Sequence, residues 1–315
     1  MRVAALEELL ESWFESPVVL TSSGRGAMLL QFQEWNLNRY RDRVALPRFI
    51  SGCVMDAVVR VAFPIEAADA RPASAHVLYH QYGFPQRRSL DGNRVLEDIC
   101  HAFFARADSG ARLWMGDAAV FSLPKFIATS SMVGGLVVRN PNTAVRLRAR
   151  RDSCRAAHLF SPHQMAETFR AEYHRGGVAL EELYIARLLD PRVWDEELCG
   201  LPTGRNVLSE IGAQRQEVVR QMLDATGGAD LPTDWVEFLH GGVPFLFPVA
   251  GSQSKLIRAA ADLQSAGVSA DIYSVDLARD MLAPEYKRLL LVPCHHEMSD
   301  SSLNYTLSVL RSVKD

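Results

Sequence analysis

The stretch Val18-Val19-Leu20-Thr21-Ser22-Ser23-Gly24-Arg25-Gly26-Ala27-Met28-Leu29-Leu30-Gln31-Phe32-Gln33-Glu34-Trp35 decides how the chain begins to fold. Ser16-Pro17 ends what precedes it, because a residue before proline is driven out of the α region. Val18 to Leu20 then makes a short apolar strand. Thr21 to Gly26 is a polar turn containing glycine, and Ala27 to Trp35 has helical period. The unit is strand, turn, helix. Upstream, the first sixteen residues set Leu6, Leu9, Leu10 and Trp13 on one helical face.

The pattern repeats along the chain. Val44-Ala45-Leu46 is a short strand before Pro47, Ser51 to Val61 has helical character, and His76 to His80 is a strand. Arg94 to Asp98 begins another, and Ala118 to Ser122 and Gly135 to Val138 flank a polar turn. Strands alternating with helices predict an α/β fold whose mostly parallel sheet is covered on both faces. Beyond about residue 205 the texture changes. Ser209 to Ala225 is a long amphipathic helix with a turn at Thr226 to Asp230, Phe245 to Val249 is a strand, and Ser252 to Ala266 is a helix ended by Gly267. Leu289 to Val292 is a strand, and Ser299 caps a last helix carrying Leu303, Leu307 and Leu310. The expected division is a large domain over 1–205 and a small α+β domain over 206–315.

Composition narrows the function. With 48% hydrophobic and 23% charged residues the 315-residue chain is that of an ordinary globular protein, and its net charge of -3 gives no reason to expect nucleic acid. Arg146, Arg148, Arg150, Arg151 and Arg155 cluster, which a solvated helix face explains better than a phosphate-binding patch. Cys53, Cys100, Cys154, Cys199 and Cys294 are odd in number and show no C-x-x-C pair, the pattern of reduced thiols in a cytoplasmic protein. The acidic residues of Met1 to Glu11 break any signal-peptide core, and no stretch approaches the ~20 apolar residues of a membrane helix.

Three pieces carry chemistry. Ser23-Gly24-Arg25 lies at a strand-to-helix turn, where unpaired N–H groups carry partial positive charge and glycine lets an anion approach. Taken alone it is more often a tight turn. Leu96-Glu97-Asp98-Ile99-Cys100-His101 follows a strand, at the sheet edge where ligands of open α/β sheets collect. A carboxylate there can hold a protonated pyridine nitrogen, and His101 can lie against the ring; a capping Asp and a packed His are the structural alternative. Phe121-Ser122-Leu123-Pro124-Lys125 sets a lysine in a turn between apolar strands, with Gly134-Gly135 downstream. Desolvation there would favour a neutral, nucleophilic amine, against the plain alternative of a surface lysine.

In this order and spacing, Ser-Gly-Arg, Glu-Asp-x-x-His and Phe-Ser-Leu-x-Lys resemble the DegT/DnrJ/EryC1/StrS family of pyridoxal phosphate (PLP)-dependent aminotransferases. Leu46-Pro47 with Cys53-Val-Met-Asp-Ala-Val58, Tyr79-His-Gln-Tyr-Gly-Phe-Pro85, and Leu291-Val-Pro-Cys-His295 followed by Met298-Ser-Asp300 agree with it. The resemblance spans about residues 18 to 140 well and 244 to 313 loosely. It implies fold type I of the PLP-dependent transferases, with a seven-stranded, mostly parallel sheet in the large domain. It implies PLP as a Schiff base on Lys125, Asp98 at the pyridine nitrogen, His101 against the ring, and Gly24, Arg25 (through backbone amides) and Ser122 on the phosphate. Lys125 would also carry the proton as general acid/base.

The same resemblance implies transamination from glutamate or glutamine to a keto sugar, nucleotide-linked, in polysaccharide or secondary-metabolite biosynthesis, by a homodimer. A PLP enzyme of this architecture acting on an amino acid or keto acid is the second reading, and a catalytically silent family member the third. Three departures stand out. Ile65 to Ala75 reads as only a short linker where relatives carry a helix-sized segment, the aromatic that covers the cofactor is not obvious (Ser51 falls there, with Phe49 nearest), and an Asn-Tyr-Arg-Met-type segment is missing from the middle. His295 and His296 are adjacent and point apart, which argues against a metal site. Gly241-Gly242 and Gly176-Gly177 read as turns, and Arg205 and Arg215 fit a charged helix surface better than a substrate anion site. No phosphate loop of the G-x-x-x-x-G-K-[ST] type and no full dinucleotide fingerprint is present.

Overall fold

Helix α1 (Val3–Phe14) buries Leu6 and Leu10 of the expected face together with Glu7 and Phe14, while Leu9 and Trp13 stay half-buried. The computed structural model describes residues 2–69, 71–87, 90, 94–105, 116–127, 132–154, 189–198, 200–201 and 203–314. Arg155, Gly176-Gly177 and Cys199 lie outside them. The chain divides into two units, one formed by Met1–Tyr79, Ser89–Cys100 and Trp114–Val207, the other by His80–Arg88, His101–Leu113 and Leu208–Asp315.

In the first unit α1 is followed by β1 (Val18–Thr21), α2 (Gly24–Glu34), β2 (Arg43–Leu46), α3 (Gly52–Val58), β3 (Phe63–Glu66), β4 (Ala75–Tyr79), β5 (Val95–Asp98), β6 (Ala118–Ser122), β7 (Gly134–Val138) and α4 (Pro141–Ser153). The strands form one seven-stranded sheet in the order β1-β7-β6-β5-β4-β2-β3. Strands β2 to β6 pair in parallel, and β7 is antiparallel to both β6 and β1. It follows that β1, β5 and β6 all end at the same edge. Every residue of β1, β5 and β7 is buried, as strands covered on both faces require. Val19, Leu96, Val120 and Leu136 pack there with Ala27, Leu30 and Phe32 of α2 and Val54 and Val58 of α3.

Two expectations change here. Part of the segment taken for a linker, Ile65-Glu66, belongs to β3, which pairs with β2 from Arg43↔Phe63 to Leu46↔Glu66. Pro64 hid the strand in the sequence; on an outer strand its missing N–H costs no ladder bond. The arginine run is not one solvated face either. On α4, Arg146 bonds Glu34 at 2.7 Å, and Arg148 reaches Glu7 at 3.1 Å and also pairs with Glu11. Arg151 is buried, donating to Glu7 at 2.6 Å and to the Leu20 carbonyl at 3.0 Å. The run ties α4 to α1.

The second unit contains α5 (Arg205–Thr226), α6 (Thr233–Gly241), β8 (Leu246–Val249), α7 (Gln253–Ser265), β9 (Asp271–Asp276), β10 (Tyr286–Pro293) and α8 (Asp300–Lys314). Its sheet is antiparallel, in the order β8-β10-β9. Val219, Met222, Trp235, Phe247, Leu263, Leu290 and Leu310 form the core, joined by Phe84. Ser299 caps α8, accepting from the Ser302 amide at 3.2 Å. Arg205 is exposed as expected, but Arg215 is buried, not on a charged surface. Helix α6 and strand β9 escaped the sequence reading. The outer edge of β9 is met by one side chain: Gln81 donates to the Ser274 carbonyl at 3.3 Å and accepts from the Asp276 amide at 2.9 Å, as a neighbouring strand would.

Candidate active site

Ser23 has extended backbone and caps α2, its hydroxyl accepting from the Gly26 amide at 3.1 Å. That leaves the amides of Gly24 and Arg25 at the helix start, where the first N–H groups have no intrahelical partner. A Cβ on Gly24 would lie 3.3 Å from the Cys100 sulfur, 3.5 Å from the Phe121 carbonyl and 3.8 Å from Ser122 Cβ. The ends of β1, β5 and β6 therefore converge on this glycine.

Gly134 explains how closely. A Cβ there would fall 2.5 Å from the Gly24 nitrogen and 2.6 Å from the Phe121 oxygen, so only glycine lets the first turn of α2 sit against β7. Next to it, a Cβ on Gly135 would lie 2.6 Å from the Phe121 ring and 2.7 Å from the Val19 oxygen. These two glycines accompanied the lysine motif in the sequence, and their reason is close backbone approach.

Asp98 ends β5 and is buried, and its Oδ1 accepts from the Cys100 amide at 3.0 Å. A short 3₁₀ turn, Leu123–Lys125, follows β6 and carries the lysine. Leu123 and Phe126 are buried on either side, and the amides of Phe126 and Ile127 both donate to the Leu123 carbonyl at 2.9 Å. With its flanks pinned in the core, the turn directs Lys125 outward. The lysine is solvent-exposed, so the burial that the sequence suggested for it is not found in this chain.

The Cys100 thiol reports on both groups. Its pKa is pushed well above the ordinary range, first by burial and then by the Asp98 carboxylate, while the Lys125 ammonium opposes the shift. Acid and amine thus act on one thiol with opposite sign. Arg25 turns its guanidinium to Asp56 of α3, 3.3 Å away. Cys100 and Asp56 were quoted in the sequence only as members of longer motifs, and no spacing rule marks either as part of a site.

His101 belongs to the second unit. Its ring stacks on Phe245, with centroids 4.3 Å apart and planes 9° apart, and on Tyr82 at 5.8 Å and 15°. Tyr82 has a positive φ of 54° and Gly83 one of 99°. A Cβ on Gly83 would strike the His101 oxygen at 2.6 Å and the Pro244 Cα at 2.7 Å, which fixes glycine in this motif. In the first unit Phe49 is exposed, with the Arg48 guanidinium 5.8 Å over its ring.

These residues fit PLP. The main-chain amides at the start of α2 lie beside Ser122, a buried acid stands at the same sheet edge, and a lysine follows the next strand. Among the described residues no three His, Cys, Asp or Glu side chains group to hold a metal ion, and no helix is long and apolar enough to cross a membrane.

Comparison with known proteins bears on the fold and on the segment that carries these residues. Residues 13–153 match the family model described as "Putative PLP-dependent aminotransferase". No curated protein matches the chain by sequence. A DegT DnrJ EryC1 StrS aminotransferase from Brucella abortus superposes with a TM-score of 0.68 at 14% identity, over 98% of this chain and 89% of that one. DesV of S. venezuelae gives 0.68 at 18%, over 99% and 89%. Helicobacter pylori PseC, an aminotransferase involved in the biosynthesis of pseudoaminic acid, gives 0.64 at 12%, over 99% and 91%. The chain has the fold of the DegT/DnrJ/EryC1/StrS aminotransferases, and the segment matching the PLP-dependent family model holds Gly24, Arg25, Asp98, Ser122 and Lys125.

Proposed function

We propose that this protein is a PLP-dependent aminotransferase that moves an amino group from glutamate or glutamine to a nucleotide-linked keto sugar, working as a cytoplasmic homodimer. The observation that carries the reading is the convergence of Gly24, Ser122 and Asp98 on Cys100 at one sheet edge, with Lys125 in the turn that follows β6. The family match over 13–153 and the shared fold support the cofactor, and the part PseC plays in pseudoaminic acid biosynthesis supports a sugar acceptor.

When bound, PLP supplies an electron sink for charge developing at the substrate's α-carbon. The amides of Gly24 and Arg25, with the Ser122 hydroxyl, would hold its phosphate. Asp98, fixed by the Cys100 amide at 3.0 Å, keeps a proton on the ring nitrogen. His101, which the family resemblance sets against the ring, stacks instead on Phe245 and Tyr82 within the second unit. Lys125 would hold the cofactor's carbonyl carbon, and its Nζ would serve as the acid and base for the substrate's α-carbon proton.

The test is reductive trapping: PLP-loaded protein is treated with borohydride and the modified residue is located by mass spectrometry. Modification of Lys125, lost in Lys125→Ala, is expected. Label passing from nitrogen-labelled glutamate or glutamine to a panel of nucleotide keto sugars would complete the case. No PLP uptake sinks the cofactor assignment, and label that never leaves the donor sinks the transfer.

A further inference from the structure

We infer that the Arg25 side chain, beyond its amide, balances the charge of the cofactor phosphate, and that Asp56 is the positioning residue holding that side chain at the cradle. The inference rests on the cofactor reading above. Arg25 is the second residue of α2. A helix N-terminus carries partial positive charge and favours anions, so a cation in the first turn goes against local electrostatics. Departures from local rules of this kind gather at functional sites.

The rest of the cradle supplies hydrogen bonds without charge. Gly24, Gly134 and Ser122 are neutral, whereas a phosphate monoester carries about -1.5 to -2 at neutral pH. Half of a helix unit charge is too little to balance that. Arg25 is a cation in the first turn of this helix, and Asp56 Oδ2 holds its Nη1 at 3.3 Å. The guanidinium has five N–H donors in a planar fork, so one edge can engage Asp56 while the other meets a phosphate oxygen. The two side chains are 25% and 37% exposed, and an ion pair so open to water adds little to folding. Its use is orientation. Asp56 lies on α3, so the pair also fixes α3 against the first turn of α2.

The experiment measures dissociation constants of the full chain for PLP and for pyridoxal, which lacks the phosphate, by quenching of tryptophan fluorescence. Wild type is compared with Arg25→Gln, Arg25→Lys, Asp56→Asn and Asp56→Glu. Arg25→Gln should weaken PLP roughly tenfold or more while leaving pyridoxal within about twofold, and Arg25→Lys should fall between. Asp56→Asn should weaken PLP about threefold with pyridoxal unchanged, and Asp56→Glu should restore most of the loss. The sign at Asp56 is decisive. If Asp56 merely repelled the phosphate, Asp56→Asn would tighten PLP, and that overturns the positioning role. Unchanged PLP binding by Arg25→Gln, or equal losses of PLP and pyridoxal, overturns the inference while the cofactor reading stands. A wild type that takes up no PLP overturns both.

Discussion

Replacing Gly134 with alanine tests the geometry on which the whole cradle depends. The new Cβ would lie 2.5 Å from the Gly24 nitrogen, about 0.9 Å short of the 3.4 Å where ordinary contact begins. It would also lie 2.6 Å from the Phe121 oxygen and 2.8 Å from the Ser23 carbonyl carbon. All three obstacles are main chain, so no flexible side chain can swing aside. Either β7 leaves its register with β6 or the first turn of α2 is pushed away. Overpacking of this kind costs about 1–3 kcal/mol, and at about 2 kcal/mol the melting temperature should fall by roughly 4–8 °C. Displacing the amides of Gly24 and Arg25 should forfeit at least one hydrogen bond to a charged group, a loss of about 1.5–3 kcal/mol, or roughly tenfold to a hundredfold in PLP affinity. The assays are calorimetric melting and PLP titration. Gly52→Ala is the control, because a Cβ there meets nothing within 4 Å. If Gly134→Ala melts and binds PLP as the wild type does, the close-approach argument is refuted.

Two further outcomes follow from the electrostatics. Glu7 is buried and accepts from the Leu20 amide at 2.9 Å, from Arg151 at 2.6 Å and from Arg148 at 3.1 Å. Glu7→Ala leaves the buried Arg151 charge without this partner and should cost about 3–5 kcal/mol, seen as a lower urea midpoint at constant slope; a loss below about 1 kcal/mol would contradict it. Burial holds the pKa values of His76, His295 and His296 below the ordinary 6.5. Below pH 6.5 the unfolded chain then binds protons that the native state refuses, so their contribution is fully present above 6.5 and is lost as pH falls toward the native values. Among the described residues the buried Nδ1 atoms of all three have no hydrogen-bond partner, consistent with neutral rings held in place by packing. Urea midpoints at roughly pH 7.5 and 5.5 check this, and a midpoint that stays flat or rises on acidification would count against it.

Most of the fold was legible because the signals are local. The apolar runs Val18 to Leu20, Ala118 to Ser122 and Gly135 to Val138 are strands, and the stripe of Leu6 and Leu10 is buried. What escaped was set by pairing. Phe63–Glu66 becomes a strand because β2 lies beside it, although Pro64 argues against one in isolation. Asp271–Asp276 begins and ends on acidic residues and is held by β10 on one side and by the Gln81 amide on the other. Arg151 and Arg215 look like surface charges until partners distant in sequence enclose them.

The candidate site divides along the same line. Residue types and spacing offered the lysine after its strand, the acid at the end of another, the serine and the glycine turn as candidates, each with a plain structural alternative, and the family resemblance of the set gave them their roles. Only the folded chain brought them to one edge, since β7 runs antiparallel between β1 and β6 and aligns their ends. It also decided that Lys125 faces water, that Gly134 must lack a side chain, and that Arg25 meets Asp56. Distances between residues far apart in sequence have no local signature; they exist once the sheet has formed.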